Sequence, residues 1–368
     1  MTVQTQEIVH EVHGCVGFIT LNRPKALNAL SLSMIRALSA CLLAWRDDER
    51  IHAVAIRGSK ADRPFGHFCA GGDIRFFHQA LLAGDPSVED FFTEEYALDH
   101  LIHCYPKPYL AFMDGVVMGG GMGISQGASH RIVTSNTTMA MPETDIGLFP
   151  DVGGGYFLGR CPGSAGEWLG LTGAPVNAEQ AIGLGLADHL MDATRLPQAW
   201  DALKAIDPQH PEQLSDWIGE HTTPVQGQPL PDAQWIDQVF SLPTVSDIVQ
   251  ALESHGSDWA GHTLSLVRKR SPLMQHVTLA QVRRARHLSL AEDLRMERDL
   301  VRHCFQTDHL SRRGVSSETV EGIRALAVDK DHTPKWLPER IADVTPEMVL
   351  PFFESPWPAS AHPLRHLS

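Results

Sequence analysis

The sequence predicts an α/β fold followed by a helical C-terminal region. Three observations carry this. Strand, Gly-rich turn and helix recur along the first 190 residues, an order that demands crossover connections. Between about 244 and 305 the apolar residues keep helical spacing instead, and strand signals are scarce. Hydrophobic residues make up 43% and charged residues 20% of the 368, so a buried core is available and a disordered chain is excluded. At about 150 residues per domain this length suggests two regions, placed at 1–200 and 201–368.

Ile8, His10 and Val12 alternate up to His13-Gly14, and Val16, Phe18 and Thr20 alternate after it. That is a hairpin, stopped at Leu21-Asn22-Arg23-Pro24 by proline. Ser31 can cap a helix running to about Trp45, with Leu32, Ile35, Leu38 and Leu42 on one face. A short strand, Ala53 to Ile56, leads to the loop Phe68-Cys69-Ala70-Gly71-Gly72-Asp73 and a helix. Residues 88–104 read as helical. Tyr109 to Val117 reads as one buried strand, followed by Gly119-Gly120-Gly121 and a second helix. Strands near Ile132 and Met139 precede an irregular loop from Pro142 to Gly155. Residues 222–235 are rich in Pro and Gln and read as a connector. The tail from Pro351 to Ser368 has several prolines and no periodicity, which predicts an extended segment.

Net charge is −14, so no overall positive field is offered to nucleic acid. An anionic ligand must be met by local basic residues and backbone N–H groups. The six cysteines form no C-x-x-C pair, which points to free thiols in a reducing compartment. The N-terminal stretch shows no signal-peptide pattern, and no run of about 18 apolar residues predicts a membrane span. The expectation is a soluble cytoplasmic protein.

Several motifs fail on inspection. No Gly-Lys dipeptide occurs, so there is no Walker A loop. His100 and His103 share helical spacing but join no ligand cluster, so no metal is expected. Gly123-Ile124-Ser125-Gln126-Gly127 matches G-x-S-x-G. The sharp turn that a nucleophile elbow needs is already made at Gly119 to Gly121. Ser125 therefore falls about one helical turn too late and reads as a packing residue.

Two Gly-rich loops are more informative. Ala70-Gly71-Gly72-Asp73 and Gly119-Gly120-Gly121 each precede a helix, and together could aim two N–H donors at one oxygen. The stretch from Met141 to Gly155 places Glu143 and Asp151 among Met, Ile, Leu and Phe. Carboxylates in such surroundings are partly desolvated and their pKa values rise. Paired acids of this kind divide nucleophilic and acid/base roles, although one helix cap and one solvated acid fit the bare pattern equally well.

The ordered set A-G-G-D, G-G-G and M-P-E-x-x-x-G-x-x-P-D-x-G-G-G resembles the crotonase (enoyl-CoA hydratase/isomerase) superfamily. Leu21-Asn22-Arg23-Pro24 with Asn28-Ala29-Leu30 is similar to that superfamily's first loop. Within it, three features resemble the branch that hydrolyses 3-hydroxyisobutyryl-CoA. Asp151 stands where hydratases usually carry glycine, and Gly123 where they carry a catalytic glutamate. The third is the run from Glu321 to Ala325, with Asp329-Lys330-Asp331 and Pro334-Lys335-Trp336. Phe91 to Tyr96 matches too, with Glu95 in the position of a substrate contact. Thr319 departs, standing where the family more often has an aromatic residue.

The resemblance implies a ββα spiral whose helical C-terminal region packs over the site. It implies an acyl-CoA substrate, with no separate cofactor because coenzyme A arrives as part of that substrate. Glu143 and Asp151 are the implied catalytic acids, and Gly72 and Gly120 the implied oxyanion donors. Glu95, Gly120, Glu143 and Asp151 are implied substrate contacts. Arg23, Lys25 and Ala70 are assigned to the coenzyme, although the two cations also make sense as plain surface charges. Trimers or hexamers are common in the superfamily, so a homo-oligomer is allowed. The alternatives are an isomerase or hydratase on the same fold, or a non-catalytic acyl-CoA-binding protein.

Overall fold

A computed structural model describes residues 6–61, 65–207, 210, 212–223 and 227–368. They form two compact units, each assembled from separate stretches of chain. One takes residues up to 72, 98–139 and 176–229; the other takes 73–97, 140–175 and 230–368. The expected division at residue 200 is therefore corrected. Helices 272–285 and 318–323 pack against elements from 74–83, 143–146, 154–158 and 165–172, so contacts group segments that lie far apart in sequence.

The first unit is built on a six-stranded sheet. Strands β1 (Ile8–His13) and β2 (Val16–Leu21) form the expected antiparallel hairpin. Then β3 (Ala53–Gly58) and β4 (Tyr109–Met113) add in parallel. The chain next makes β5 (Val116–Met118), which leaves this sheet. The single strand expected from Tyr109 to Val117 is thus two. The apolar run hides a reversal at Asp114-Gly115, where Gly115 has φ +63°. After it come β6 (His130–Thr134), β7 (Thr138–Ala140), β8 (Val176–Asn177) and β9 (His189–Met191). The large sheet has the order β1-β2-β3-β4-β6-β9, and β5-β7-β8 form a second, small sheet. Every residue of β4 is buried, as expected of a parallel strand covered on both faces.

Ser31 caps the Leu32–Asp47 helix, its hydroxyl accepting from the Met34 N–H at 3.3 Å. Met34, Ile35, Leu38, Cys41, Leu42 and Trp45 form its buried face. The centre of this unit is Trp200, on the Leu196–Leu203 helix, 1% exposed. Its ring lies 4.9 Å from Phe18, 5.8 Å from Phe65 and 5.2 Å from Phe112, centroid to centroid.

The second unit is mainly helical. Residues 244–305 are helical as expected, in segments Val245–His255, Asp258–Lys269, Pro272–Ala285 and Leu290–Phe305. Arg298, 2% exposed, and Arg302 both pair with Glu89. The tail is not extended, which corrects the reading from its prolines. It forms 3-10 turns at Leu350–Phe353 and Ala359–Ala361 and folds onto the last long helix. Ser355 donates to Asp299, Arg295 donates to the Leu367 carbonyl, and Phe352 and Leu364 are fully buried. The proline pattern missed these apolar anchors. Of the connector at 222–235, residues 224–226 lie outside the described residues, and a helix already begins at Ala233. No helix among the described residues is long and apolar enough to cross a membrane.

Replacing Trp200 with alanine removes the ring that Phe18, Phe65, Phe112 and the Arg57 guanidinium, 4.3 Å above it, share. Trp200→Ala is expected to cost ~3–5 kcal/mol of unfolding free energy. Urea unfolding of the full chain measures it, and a loss below ~1 kcal/mol would show that this core tolerates the cavity.

Candidate active site

The acids from the Met141 to Gly155 stretch lie in the second unit. The preceding strand ends at Ala140, Pro142 stands at the N-cap, and Glu143 opens a 3-10 turn, Glu143–Ile146. Gly147 closes that turn with φ +67°. A Cβ at Gly147 would stand 2.6 Å from the Glu318 backbone, so the close approach and the left-handed geometry both require glycine. The turn is pinned from two sides. Thr319 Oγ1 donates to the Gly147 carbonyl at 2.8 Å, and the Ser271 N–H donates to the Thr144 carbonyl at 3.0 Å. Ser271 Oγ in turn donates to Glu318 at 2.5 Å. The departure at Thr319 therefore serves the loop that carries Glu143.

Glu143 is 7% exposed and Asp151 5% exposed. Burial pushes the Glu143 carboxyl well above its ordinary range, and the charge on Asp151 pushes it further. Arg270 and a backbone N–H draw it partly back. The Arg270 guanidinium is itself fixed, donating to the Thr172 carbonyl at 2.7 Å and pairing with Asp145 at 2.5 Å. Burial raises Asp151 to about 7, opposed by a hydrogen bond from the Tyr96 hydroxyl at 3.0 Å. Of the two acids, only Asp151 has a side-chain donor among the described residues that stabilises its anion. Glu143 Oε2 is buried with no hydrogen-bond partner among the described residues. A desolvated carboxyl of this kind is a stronger base than a solvated glutamate, and its open oxygen can reach a reacting atom.

Tyr96 is the residue that motif reading misses. Its hydroxyl is fully buried and pushed well above its ordinary pKa, by burial first and then by Asp151, Glu297 and Glu95, so it stays a donor. No spacing rule links residues 96 and 151. The signal present is its place after Glu95 in an aromatic helical stretch, where it packs edge-on to Phe92 at 6.0 Å. Glu95 itself is buried, 2% exposed. Arg270 carries no motif either.

The glycine loops lie in the first unit. A backbone bridge joins Cys69 to Val117 and another joins Leu30 to Gly72, so the two loops run side by side. Gly121 makes this approach possible, since a Cβ there would lie 2.4 Å from the Cys69 carbonyl. Gly120 is the first residue of the Gly120–Gln126 helix, where N–H groups have no intrahelical partner. Ser125 donates to the Gly121 carbonyl at 2.7 Å and is fully buried, as expected of a packing residue.

Arg23 donates to the Ala29 carbonyl at 3.0 Å and lies 3.3 Å from Glu7, so it braces its own loop. Lys25 is exposed, and the Ala70 N–H donates to the Leu27 carbonyl at 3.1 Å. Among the described residues no group of three His, Cys, Asp or Glu could hold a metal ion.

The sequence profile described as enoyl-CoA hydratase/isomerase matches residues 16–353. The chain is 38% identical to the 3-hydroxyisobutyryl-CoA hydrolase, mitochondrial, of Xenopus tropicalis, over 96% of this chain and 90% of that protein. It is 38% identical to the protein of the same name from Rattus norvegicus, again over 96% and 90%. Among solved structures it is similar to a carnitinyl-CoA dehydratase from Mycobacterium thermoresistibile, with a TM-score of 0.85, 37% identity, and coverage of 95% of this chain and 97% of that one. The expected crotonase-type architecture is that of this neighbour. A profile matched across nearly the whole chain, full-length relatives and a shared fold agree: the chain belongs to the enoyl-CoA hydratase/isomerase family.

Proposed function

We propose that the protein hydrolyses 3-hydroxyisobutyryl-CoA, a short 3-hydroxyacyl thioester, to the free acid and coenzyme A, a step of valine breakdown. The relatives bearing that name match nearly end to end. The observation that carries the chemistry is the buried acid pair, Glu143 with an open oxygen and Asp151 held by Tyr96. In its anionic form Glu143 attacks the thioester carbonyl to give an acyl-enzyme anhydride, or takes a proton from the water that attacks. Either way the carbon–sulfur bond breaks and the leaving thiolate takes up a proton; in the first route water then cleaves the anhydride, releasing the free acid and restoring the Glu143 carboxylate. The N–H groups of Gly72 and Gly120 are assigned to the developing oxyanion, each worth roughly 3–4 kcal/mol in a comparable site. Asp151 accepts a hydrogen bond from the substrate's 3-hydroxyl or supplies the thiolate's proton, and Glu95 completes the acyl contacts. Lys25, with Arg23 and Ala70 beside it in the loops, is assigned to the coenzyme end.

A second reading is reversible hydration, favoured by the dehydratase name of the structural neighbour. Gly123 speaks against it, because the superfamily's two-glutamate hydration needs an acid there. It is buried in the Gly120–Gln126 helix and offers none. Thiol release separates the two: a hydrolase frees coenzyme A from 3-hydroxyisobutyryl-CoA, and a hydratase leaves the thioester intact. Absence of free thiol at micromolar enzyme would end the hydrolase reading.

Glu143→Gln should slow thiol release at least ~100-fold, since an amide is neither nucleophile nor base. A variant with near-normal turnover would remove Glu143 from the chemistry. Asp151→Gly should preferentially damage substrates with a 3-hydroxyl, because a lost hydrogen bond to a charged group costs about 10- to 150-fold. The ratio of kcat/KM for 3-hydroxyisobutyryl-CoA to that for isobutyryl-CoA reads this directly. Equal losses would place Asp151 at the reacting carbonyl or sulfur instead.

Tyr96→Phe takes away the donor that holds Asp151 near 7. Its pKa then rises, and the limb of the pH–rate profile that needs the Asp151 anion moves to higher pH. Activity at pH 6 should fall more than activity at pH 9. An unmoved limb with normal folding would take Tyr96 out of the site.

A further inference from the structure

The residue after Asp151 is held in a conformation that it does not favour. Val152 has φ +57°, the left-handed region, where a β-branched side chain is rare. Something must keep it there, and the hydrogen bonds around it say what. The Gly153 N–H donates to Glu297 Oε2 at 2.8 Å and the Gly155 N–H to Glu297 Oε1 at 2.9 Å. The Tyr156 N–H donates to Asp293 Oδ2 at 2.7 Å. Gln281 Nε2 donates to Glu297 Oε1 at 2.9 Å and to the Pro150 carbonyl at 2.7 Å. One side-chain network thus grips the backbone on both sides of Asp151.

The network consists of acids where a core would ordinarily carry apolar residues. Asp293, Glu297 and Gln281 are fully buried. Burial lifts Asp293 to about 7 and Glu297 well above its ordinary range, and the charge on Asp293 pushes Glu297 further. Buried acids cost stability that well-packed apolar residues would not. Their oxygens are here the acceptors for three consecutive-turn amides, something no apolar residue can supply.

We propose that Glu297 is a positioning residue for Asp151. By accepting from the Gly153 and Gly155 amides it keeps Val152 left-handed, and so fixes the direction in which the Asp151 side chain leaves the backbone. The inference deepens the thioesterase reading above and rests on it.

The test is a double-mutant cycle in the full chain, with thiol release from 3-hydroxyisobutyryl-CoA as the assay. It uses wild type, Glu297→Gln, Asp151→Asn and the double variant, each checked by its urea unfolding midpoint. The amide nitrogen of glutamine cannot accept from a backbone N–H, so one of the two grips is lost. Glu297→Gln is expected to lower kcat at least ~10-fold when Asp151 is present, with KM within ~3-fold. It should add less than ~2-fold when Asp151 is already asparagine, because positioning has then nothing left to serve. Gln281→Met keeps both Glu297 oxygens but removes the donor that orients them. It should show a smaller loss that likewise vanishes with Asp151→Asn, and it decides the matter if Glu297→Gln does not fold. Equal fold losses in both backgrounds would overturn the positioning role and leave a structural staple. A wild-type protein that releases no thiol would overturn the thioesterase reading, and the inference with it.

Discussion

Keeping two carboxyl groups dry within one loop is the constraint on which the second unit depends. Each buried carboxylate costs several kcal/mol, of the order found for buried ions after relaxation, unless it is paired or hydrogen-bonded. The protein gives Glu143 and Asp151 little direct compensation. Asp151 receives the Tyr96 hydroxyl, and Glu143 has only a backbone N–H and the field of Arg270. The outcome is a pair with raised proton affinity and an unfilled oxygen. A fully satisfied pair would be more stable and less reactive. The rest of the unit restrains the loop rather than the carboxyls. Thr319, Ser271 and Glu318 fix its first half, and Gln281, Asp293 and Glu297 fix its second.

This explains why residues 230–368 cannot be read as an appendage. The stretch 140–175 carries the acids, yet the partners of its backbone groups come from 271–297 and 318–319. The ion pairs follow the same logic. Glu167 is 2% exposed at its side chain and is met by Arg286 at 2.7 Å, which ties the Ala165–Thr172 helix to the helical region. Arg298 and Arg302 meet on Glu89 and anchor the helix that bears Asp293 and Glu297.

Local patterns were legible where the physics is local. The hairpin at residues 8–21, the Ser31 cap and the helices of 244–305 follow from alternation, capping chemistry and helical spacing. The depth of Glu143 was foreshadowed by its apolar neighbours. What stayed hidden required contacts across sequence. An apolar run from 109 to 117 looks the same whether it stays in one sheet or turns at Gly115 to join another. A Pro-rich tail looks extended until Phe352 and Leu364 find a surface to bury against. Arg23 looks like a free cation until Glu7, sixteen residues upstream, is placed 3.3 Å away.

The same reasoning separates two kinds of residue in the site. Glu143 and Asp151 are recognisable because their chemistry conflicts with their neighbourhood: acids in an apolar stretch demand a reason. Tyr96, Gln281 and Arg270 raise no such conflict. A tyrosine on an amphipathic helix, a glutamine at a helix crossing and an arginine after a helix C-terminus are each ordinary where they stand. Their importance lies in what they donate to, and donors are chosen by geometry that only the folded chain defines. Tyr96 shows the consequence most plainly. Its hydroxyl is buried 55 residues away in sequence from the carboxylate it serves, and in that setting it has one strong acceptor. Removing that hydroxyl would leave the fold's aromatic packing in place while raising the proton affinity of Asp151. The acids are thus fixed by sequence motif, whereas their proton affinities are set by the tertiary structure around them.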